Sequence, residues 1–337
     1  MRSRKGRPGR SEAQEASANE RISGLAYGVR LTGELPPAFR PYLLPLSVAC
    51  PPGELAVELV YRDVESLPGV EEIWVSEAEL SRSEGRFALF LDSGGFGLSV
   101  LAEGQGMFRC RPDRIEIDWL AGASAAPHYL FAHALPLWLE SQGRPVLHAS
   151  AVAFGDRAVA FLGPSGIGKS TLCAELVKLG CRLVADDGLA VRESGSDAWL
   201  CALGPPMLRL WPSALEGRMG VTALTLPRVY ARLEKRLWAP PMAGELPAEM
   251  PLAAIFLLRR AAEDDALGHI EESSAREGLV ELLAHGVAGA AAAALGLAAS
   301  RFERLARLAS ELPVRRLTIT PARDAAARIR AVIERRI

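Results

Sequence analysis

Gly163-Pro164-Ser165-Gly166-Ile167-Gly168-Lys169-Ser170-Thr171 fits the pattern G-x-x-x-x-G-K-[ST] at every fixed position. Its flanks have the order that such a loop needs. Ala158-Val159-Ala160-Phe161-Leu162 is a short continuous apolar run, as a buried strand should be. After the loop, Leu172, Leu176 and Leu179 share one helical face, and Gly180 stands where a left-handed helix stop is favoured. A glycine loop between strand and helix can curl its backbone N–H groups around an anionic polyphosphate. Its lysine reaches the outer phosphates and its hydroxyl suits Mg²⁺. Residues 163–171 therefore predict a bound nucleotide, with Lys169 on the phosphates and Ser170 on the metal.

The rest of the chain sets bounds. Its 337 residues suffice for two domains or one large one. A net charge of −1 provides no global field for nucleic acid or an acidic membrane, so neither is an expected partner. Five scattered cysteines without a C-x-x-C pair predict reduced thiols in a cytoplasm. No signal-peptide pattern follows the basic first residues. The alanine- and glycine-rich stretch 287–299 is too short and too weakly hydrophobic to span a bilayer; it predicts a buried or partner-facing helix.

Residues 1–20 read as a disordered basic tail, with Arg2, Arg4, Lys5, Arg7 and Arg10 among small and polar residues. Residues 21–143 form an N-terminal, mainly antiparallel α+β domain. Its strand signals fall at 55–61, 73–75, 86–91, 97–101, 107–110 and 115–119, and a helix is expected over Pro127–Gln142. Residues 144–337 are the α/β domain that carries the loop. Val146 to Phe154 predicts one strand, and Gly155-Asp156 a two-residue hairpin turn. With Phe154 facing Arg157, the register carries His148 opposite Gly163. His148 is thus a site candidate at the loop's mouth, or else a satisfied structural histidine.

A second constellation follows the helix. Arg182-Leu183-Val184-Ala185 predicts a strand running parallel to the first and ending beside the loop, at Asp186-Asp187. If strand geometry persists, the two carboxylates point to opposite faces. One is then suited to Mg²⁺ and the other to an incoming hydroxyl, as general base. Farther on, Arg209 and Lys235 are candidate contacts to phosphate or a substrate carboxylate, or solvated surface charges. Trp211 and Trp238, each next to a proline or an alanine–proline pair, read as packing residues. Glu263-Asp264-Asp265 reads as a solvated loop, and Pro321 as the start of a last helix.

Leu147-His148-Ala149-Ser150, the loop GPSGIGKST and Leu183-Val184-Ala185-Asp186-Asp187 together resemble the catalytic domain of HPr kinase/phosphorylase. The resemblance is most specific over residues 146–192, looser to about 330 and absent over the first 120. It implies a P-loop-containing, HPr-kinase-like catalytic domain that uses ATP and Mg²⁺. Carried over by position, Lys169 and Ser170 bind the outer phosphates and metal, Asp187 is the base, and Asp186 interacts with His148 or the metal. Thr171, however, stands where the bifunctional enzymes typically have glutamate, and their glycine-rich signature after the core is not evident. Residues 204–212 and 234–238 instead resemble a side branch that includes kinases of lasso-peptide precursors, which phosphorylate a C-terminal serine. The expectation is an ATP-dependent serine kinase acting on a ribosomally made precursor peptide. The alternatives are an HPr(Ser) kinase/phosphorylase and a non-catalytic, nucleotide-dependent regulator. The N-terminal region has the position to orient the acceptor or to mediate homo-oligomer assembly.

Overall fold

The computed structural model of the protein describes residues 19–46, 55–76, 85–102, 104–120, 125–195, 198–241, 247–261, 268–320, 322 and 324–337. The expected basic tail, apart from its last two residues, lies outside this set, as do Glu263-Asp264-Asp265 and Pro321.

Eight strands form the first sheet: β1 (Glu20–Ala26), β2 (Val29–Leu35), β3 (Leu55–Asp63), β4 (Glu72–Val75), β5 (Arg86–Asp92), β6 (Gly95–Ala102), β7 (Gly104–Cys110) and β8 (Arg114–Trp119). Their order is β1-β2-β3-β8-β7-β6-β5-β4. The expected meander is present from β4 to β8, antiparallel throughout, with short turns from β5 to β8. It is not the whole sheet, because β3 runs parallel to both β2 and β8. The connections account for this. A crossover containing the buried Phe39 and Tyr42 separates β2 from β3, and the entire meander separates β3 from β8. Parallel neighbours require connections of this length. Along β3, Val57, Leu59 and Tyr61 are buried while Ala56 and Glu58 are exposed, the alternation of a sheet with one covered face.

Three consecutive helical segments, Ala126–Tyr129, Leu130–Ala134 and Leu135–Ser141, together make α1. They cover the predicted helix and are buried along almost their whole length. The core around α1 includes residues of the first sheet together with Val146, Ala190, Ala202, Met207 and Ala292 from the rest of the chain. A buried ion pair, Arg301 Nε to Glu140 Oε1 at 3.1 Å, ties the end of α1 to the C-terminal part.

The second sheet begins with β9 (Val146–Leu147), β10 (Ser150–Phe154) and β11 (Arg157–Leu162), followed by α2 (Lys169–Lys178). Then come β12 (Arg182–Ala185), β13 (Leu189–Ser194), β14 (Ala198–Ala202), a small hairpin of β15 (Leu208–Leu210) and β16 (Arg236–Trp238), and the long β17 (Glu249–Arg260). The chain ends through β18 (Ile270–Glu272), α3 (Ala275–Ala284), α4 (Gly289–Ala294), α5 (Ala298–Glu311), β19 (Val314–Ile319) and α6 (Ala325–Glu334). The sheet order is β12-β10-β11-β17-β14-β13-β9, with β19 beside β17 and β18 beside β19. The fold is mixed α/β.

Alternate residues of β11 explain its continuous apolar sequence. Val159 and Phe161 join the core under α2 and α6, while Ala158, Ala160 and Leu162 join the core under α3 and α5. Both faces are covered, so neither can be polar. Two expectations are corrected. The strand expected over 146–154 is split: β9 pairs with β13, whereas β10 pairs with β11 and β12. As expected, β12 runs parallel to β11, with β10 between them and antiparallel to both. The last helix starts at Ala325, beyond Pro321. The stretch 287–299 contains α4, whose Ala292 is fully buried in the α1 core of the same chain. Among the described residues no helix is long and apolar enough to cross a membrane.

Candidate active site

Gly163, Gly166 and Gly168 have φ values of 145°, 79° and 120°, which a side chain would disfavour. They let the chain leave β11, reverse and enter α2 at Lys169 within six residues. Backbone N–H groups at such a turn and at the first turn of a helix make a nest for an anion. Pro164, Ser165 and Gly166 are exposed, while Gly163 and Lys169 are buried. Lys169 Nζ donates to Gly163 O at 2.7 Å and to Pro164 O at 3.4 Å. Burial lowers its pKa, against the pull of Asp187 and Asp186. Arg260 braces the loop from outside, donating to Gly166 O at 3.3 Å.

The end of β12 departs from the predicted alternation. Asp187 has φ 70°, in the left-handed region, so strand geometry stops at Asp186. The chain turns there to re-enter the sheet at Leu189, two residues later. Asp186 is buried: it accepts a hydrogen bond from Ser150 Oγ at 2.6 Å and one from the Arg209 backbone N–H at 2.8 Å. Asp187 pairs with the Arg209 guanidinium and keeps 31% of its side chain exposed. Both carboxylates therefore meet Arg209 rather than serving opposite faces. Burial would raise the Asp187 carboxyl, but Arg209, then His148 and Lys235, outweigh it and hold it well below the usual carboxylate range. Arg209 is only 10% exposed, and Asp187 keeps it charged against the cost of burial.

His148 lies in the gap between β9 and β10, so the ladder that was to carry it opposite Gly163 ends at Ser150↔Phe161. Its backbone N–H donates instead to His285 O at 2.6 Å. The ring still reaches the loop's mouth, 38% exposed, with Nε2 3.8 Å from Asp187 Oδ1. The expected contact of His148 with Asp186 is not made; Asp187 takes that place. Burial lowers the His148 pKa, with Asp187 opposing and Lys169 reinforcing the shift.

One cavity of about 130 Å³ gathers these groups. His148, Ser150, Asp187 and Arg209 form one side, and Ser165, Gly166, Gly168, Lys169, Ser170 and Thr171 the other. Trp211 and Lys235 complete its rim. Lys235 Nζ sits 5.7 Å from the Trp211 ring centroid, within cation–π range. Trp211 is 46% exposed, so it is a rim residue and not the packing residue expected from sequence; Trp238 does pack partly against the α2 core. Gly163, Pro164 and Ile167 belong to the loop but do not line this cavity. Ser170, Asp186 and Asp187 offer hard oxygen donors of the kind Mg²⁺ takes alongside substrate phosphates and water. Both Asp186 oxygens already accept hydrogen bonds, so Ser170 is the more available of the two predicted metal ligands.

Two residues escaped the sequence reading. Ser150 is fully buried and anchors Asp186; its place two residues after His148 was the available signal. His128 on α1 is buried near Arg209 and Asp187, and neither ring nitrogen has a hydrogen-bond partner among the described residues. Burial holds it neutral. Nothing in the local sequence marks it, because its neighbours come from distant segments.

Fold and site define a mixed α/β protein built around a strand, a phosphate-type glycine loop and a helix. Comparison with known proteins adds a similarity over part of the chain. The chain is HPr kinase-like: it shares a segment of about 70 residues with proteins of that name. It is 40% identical over 73 residues to HPr kinase/phosphorylase 1 of Oceanobacillus iheyensis, which covers 21% of this chain and 23% of the relative. It is 42% identical over 69 residues to the HPr kinase/phosphorylase of Caldanaerobacter subterraneus subsp. tengcongensis, covering 20% and 23%. The Shouchella clausii enzyme is 39% identical over 74 residues, covering 21% and 24%. The matches thus span about a quarter of the length of these relatives. No protein-family model matches. Among solved structures, the Hpr(Ser) kinase/phosphatase of Coxiella burnetii aligns with 57% of this chain and 95% of its own, at 11% identity and a TM-score of 0.31.

Proposed function

We propose that the protein is an ATP-dependent serine kinase that phosphorylates a peptide, with the C-terminal serine of a lasso-peptide precursor as the acceptor. The observation that carries the reading is the shared cavity, in which the loop lysine, Ser170 and the acid Asp187 all take part. A protein that only bound nucleotide would have no use for a charged acid held at the mouth of the loop. The departures at Thr171 and at residues 204–212 and 234–238 favour the peptide acceptor. The division into residues 21–143 and 144–337 belongs to the same proposal, the first part orienting the acceptor.

In this reading the loop amides and Lys169 hold the outer phosphates of ATP and stabilise charge on the transferring phosphoryl group. Asp187 orients the serine hydroxyl and receives its proton. A carboxylate so strongly acidified is a weak base, so the proton passes late, when bonding to the leaving oxygen is largely lost. His148, kept neutral by burial, stands beside Asp187 on the acceptor side. Mg²⁺, when bound, neutralises phosphate charge, and Ser170 and Asp186 are the residues proposed to hold it.

The second reading, an HPr kinase/phosphorylase, is favoured by the names of the relatives. The deciding experiment is intact-mass analysis of serine-ending precursor peptides and of HPr after incubation with the protein and Mg²⁺-ATP. A gain of one phosphate on the peptide's terminal serine supports the first reading; a gain on HPr alone supports the second. ATP binding without either product leaves a regulator. Lys169→Ala and Asp187→Asn should each abolish transfer with the fold intact, and full activity of either variant overturns the assignment.

A further inference from the structure

Lys169, Arg209 and Lys235 bring permanent positive charge to the site cavity, and two of them are already engaged. Lys169 donates to the carbonyls of Gly163 and Pro164 at the base of the loop. Arg209 holds Asp186 with its backbone N–H and Asp187 with its guanidinium. The Lys235 ammonium is different. Among the described residues it has neither a carboxylate partner nor a hydrogen-bond acceptor, and it faces the Trp211 ring at 5.7 Å. Its charge still reaches both Asp187 and Lys169 across the cavity.

The chain holds Lys235 in place from both sides. Its carbonyl accepts from the Val229 N–H at 3.1 Å. Arg236, the next residue, is buried and donates to Leu226 O at 3.2 Å. Tyr230, in the turn before it, is buried against the His128 ring of α1, with 5.1 Å between ring centroids. Leu210 pairs with Arg236, so Trp211 and Lys235 are the next residues on the two arms of the small hairpin. A cation fixed in this way loses little freedom when a ligand binds, which favours affinity. Its neighbour narrows the choice of ligand. The face of an indole is electron-rich, so it gives no support to a bare phosphate lying on it. Trp211 is nevertheless 46% exposed and offers apolar area at the rim. An organic acid uses both parts: its carboxylate meets the ammonium and its carbon skeleton meets the ring.

We propose that Lys235 and Trp211 form the subsite for the acceptor's terminal carboxylate, the ammonium taking the carboxylate and the indole the residue before it. The inference rests on the terminal-serine kinase reading and adds the means of selection. In a terminal serine only Cα and Cβ separate the carboxylate from the hydroxyl. A carboxylate held at Lys235 therefore brings the hydroxyl into the cavity that Asp187 lines. An internal serine lacks that carboxylate and loses the contact, so the pair distinguishes a chain end from the same residue within a chain.

The test compares a serine-ending precursor peptide carrying a free carboxylate with the same peptide as its C-terminal amide. Calorimetric titration in Mg²⁺-ADP should show that the wild-type protein binds the acid about tenfold more tightly. Lys235→Met should reduce that preference to about twofold or less by weakening the acid alone, with binding of the amide as the check of folding. Trp211→Ala should weaken acid and amide alike by about threefold or more, and unchanged binding removes the indole from the subsite. In transfer assays the loss in Lys235→Met should fall on the peptide KM. Equal wild-type affinity for acid and amide, or a preference retained in Lys235→Met, overturns the subsite. So does a loss confined to kcat or to ATP affinity, which assigns the ammonium to the phosphates. Acid-selective binding with no phosphate transferred leaves the subsite standing and removes the kinase reading. A protein that binds neither peptide takes both down.

Discussion

Arg209→Met isolates the interaction that holds Asp187. Methionine keeps most of the apolar stem of Arg209 and removes the guanidinium, leaving an acid in a partly closed cavity without its partner. Stripping one member from a fully buried pair costs about 3–5 kcal/mol. Here Arg209 is 10% exposed but Asp187 is 31% exposed, so water relieves part of that cost, and about 2–3 kcal/mol is expected at neutral pH. Asp187→Asn in the same background removes the stranded charge. The double variant should therefore be more stable than the sum of the single changes predicts, by about 1.5–3 kcal/mol. The pH dependence has a fixed sign. The folded Asp187 carboxyl is depressed, so the contribution of the pair is complete above the ordinary carboxylate pKa of about 4 and disappears as pH falls through the lower folded value. The difference between wild type and Arg209→Met should shrink on the acid side only. Urea unfolding followed by tryptophan fluorescence, for the four proteins of the cycle at several pH values, measures all of this. Additivity within about 0.5 kcal/mol would refute the reasoning, since it would mean the two side chains are not coupled.

Ser150→Ala removes a buried donor from a buried carboxylate and should cost about 1.5–3 kcal/mol in urea unfolding; a loss below about 0.5 kcal/mol contradicts the anchoring of Asp186. His148 has a folded pKa lowered chiefly by burial, so the unfolded chain takes up the proton first and stability falls as pH drops through about 6.5. His148→Asn should make the fall in Tm between pH 7.5 and 5.5 shallower, and an unchanged slope counts against a neutral His148. Phosphoryl transfer by the wild-type protein should be level from about pH 7 to 9 and decline below about 6.5, because the neutral ring is the form beside Asp187; a midpoint above 7 argues otherwise.

The sequence shows most where geometry is local. Gly155-Asp156 fixes the hairpin, and the ladder from Phe154↔Arg157 to Ser150↔Phe161 follows from that turn alone. The loop glycines, the apolar run before them and the stop at Gly180 are local in the same sense, and each takes the predicted conformation. What sequence spacing could not carry was set by partners far along the chain. The strand expected over 146–154 breaks at His148 because β13 takes Val146 and Leu147, and the backbone of His285 takes the His148 amide. The parallel pairing of β3 depends on two connections whose course has no local signal. Asp187 looks like a strand residue in LVADD, and its left-handed backbone follows from the sharp return into β13.

Arg209 shows why the two halves of the site differ in legibility. Its backbone N–H holds Asp186 and its guanidinium holds Asp187, so β15 is fastened to the end of β12 by both ends of one residue. The small hairpin of β15 and β16 then carries Trp211 and Lys235 to the rim of the cavity. Charge at the mouth is therefore not set by the loop. It is set largely by Arg209 and Lys235, well downstream of the loop. Exchanging a half-buried rim residue such as Lys235 keeps the hydrogen bonds and ion pair of the Asp186–Arg209–Asp187 knot, whereas changing Arg209 removes the guanidinium that pairs with the acid. Under the proposed kinase reading, Trp211 and Lys235 at the rim are the positions to vary for acceptor preference, and Arg209 the position to keep for the acid.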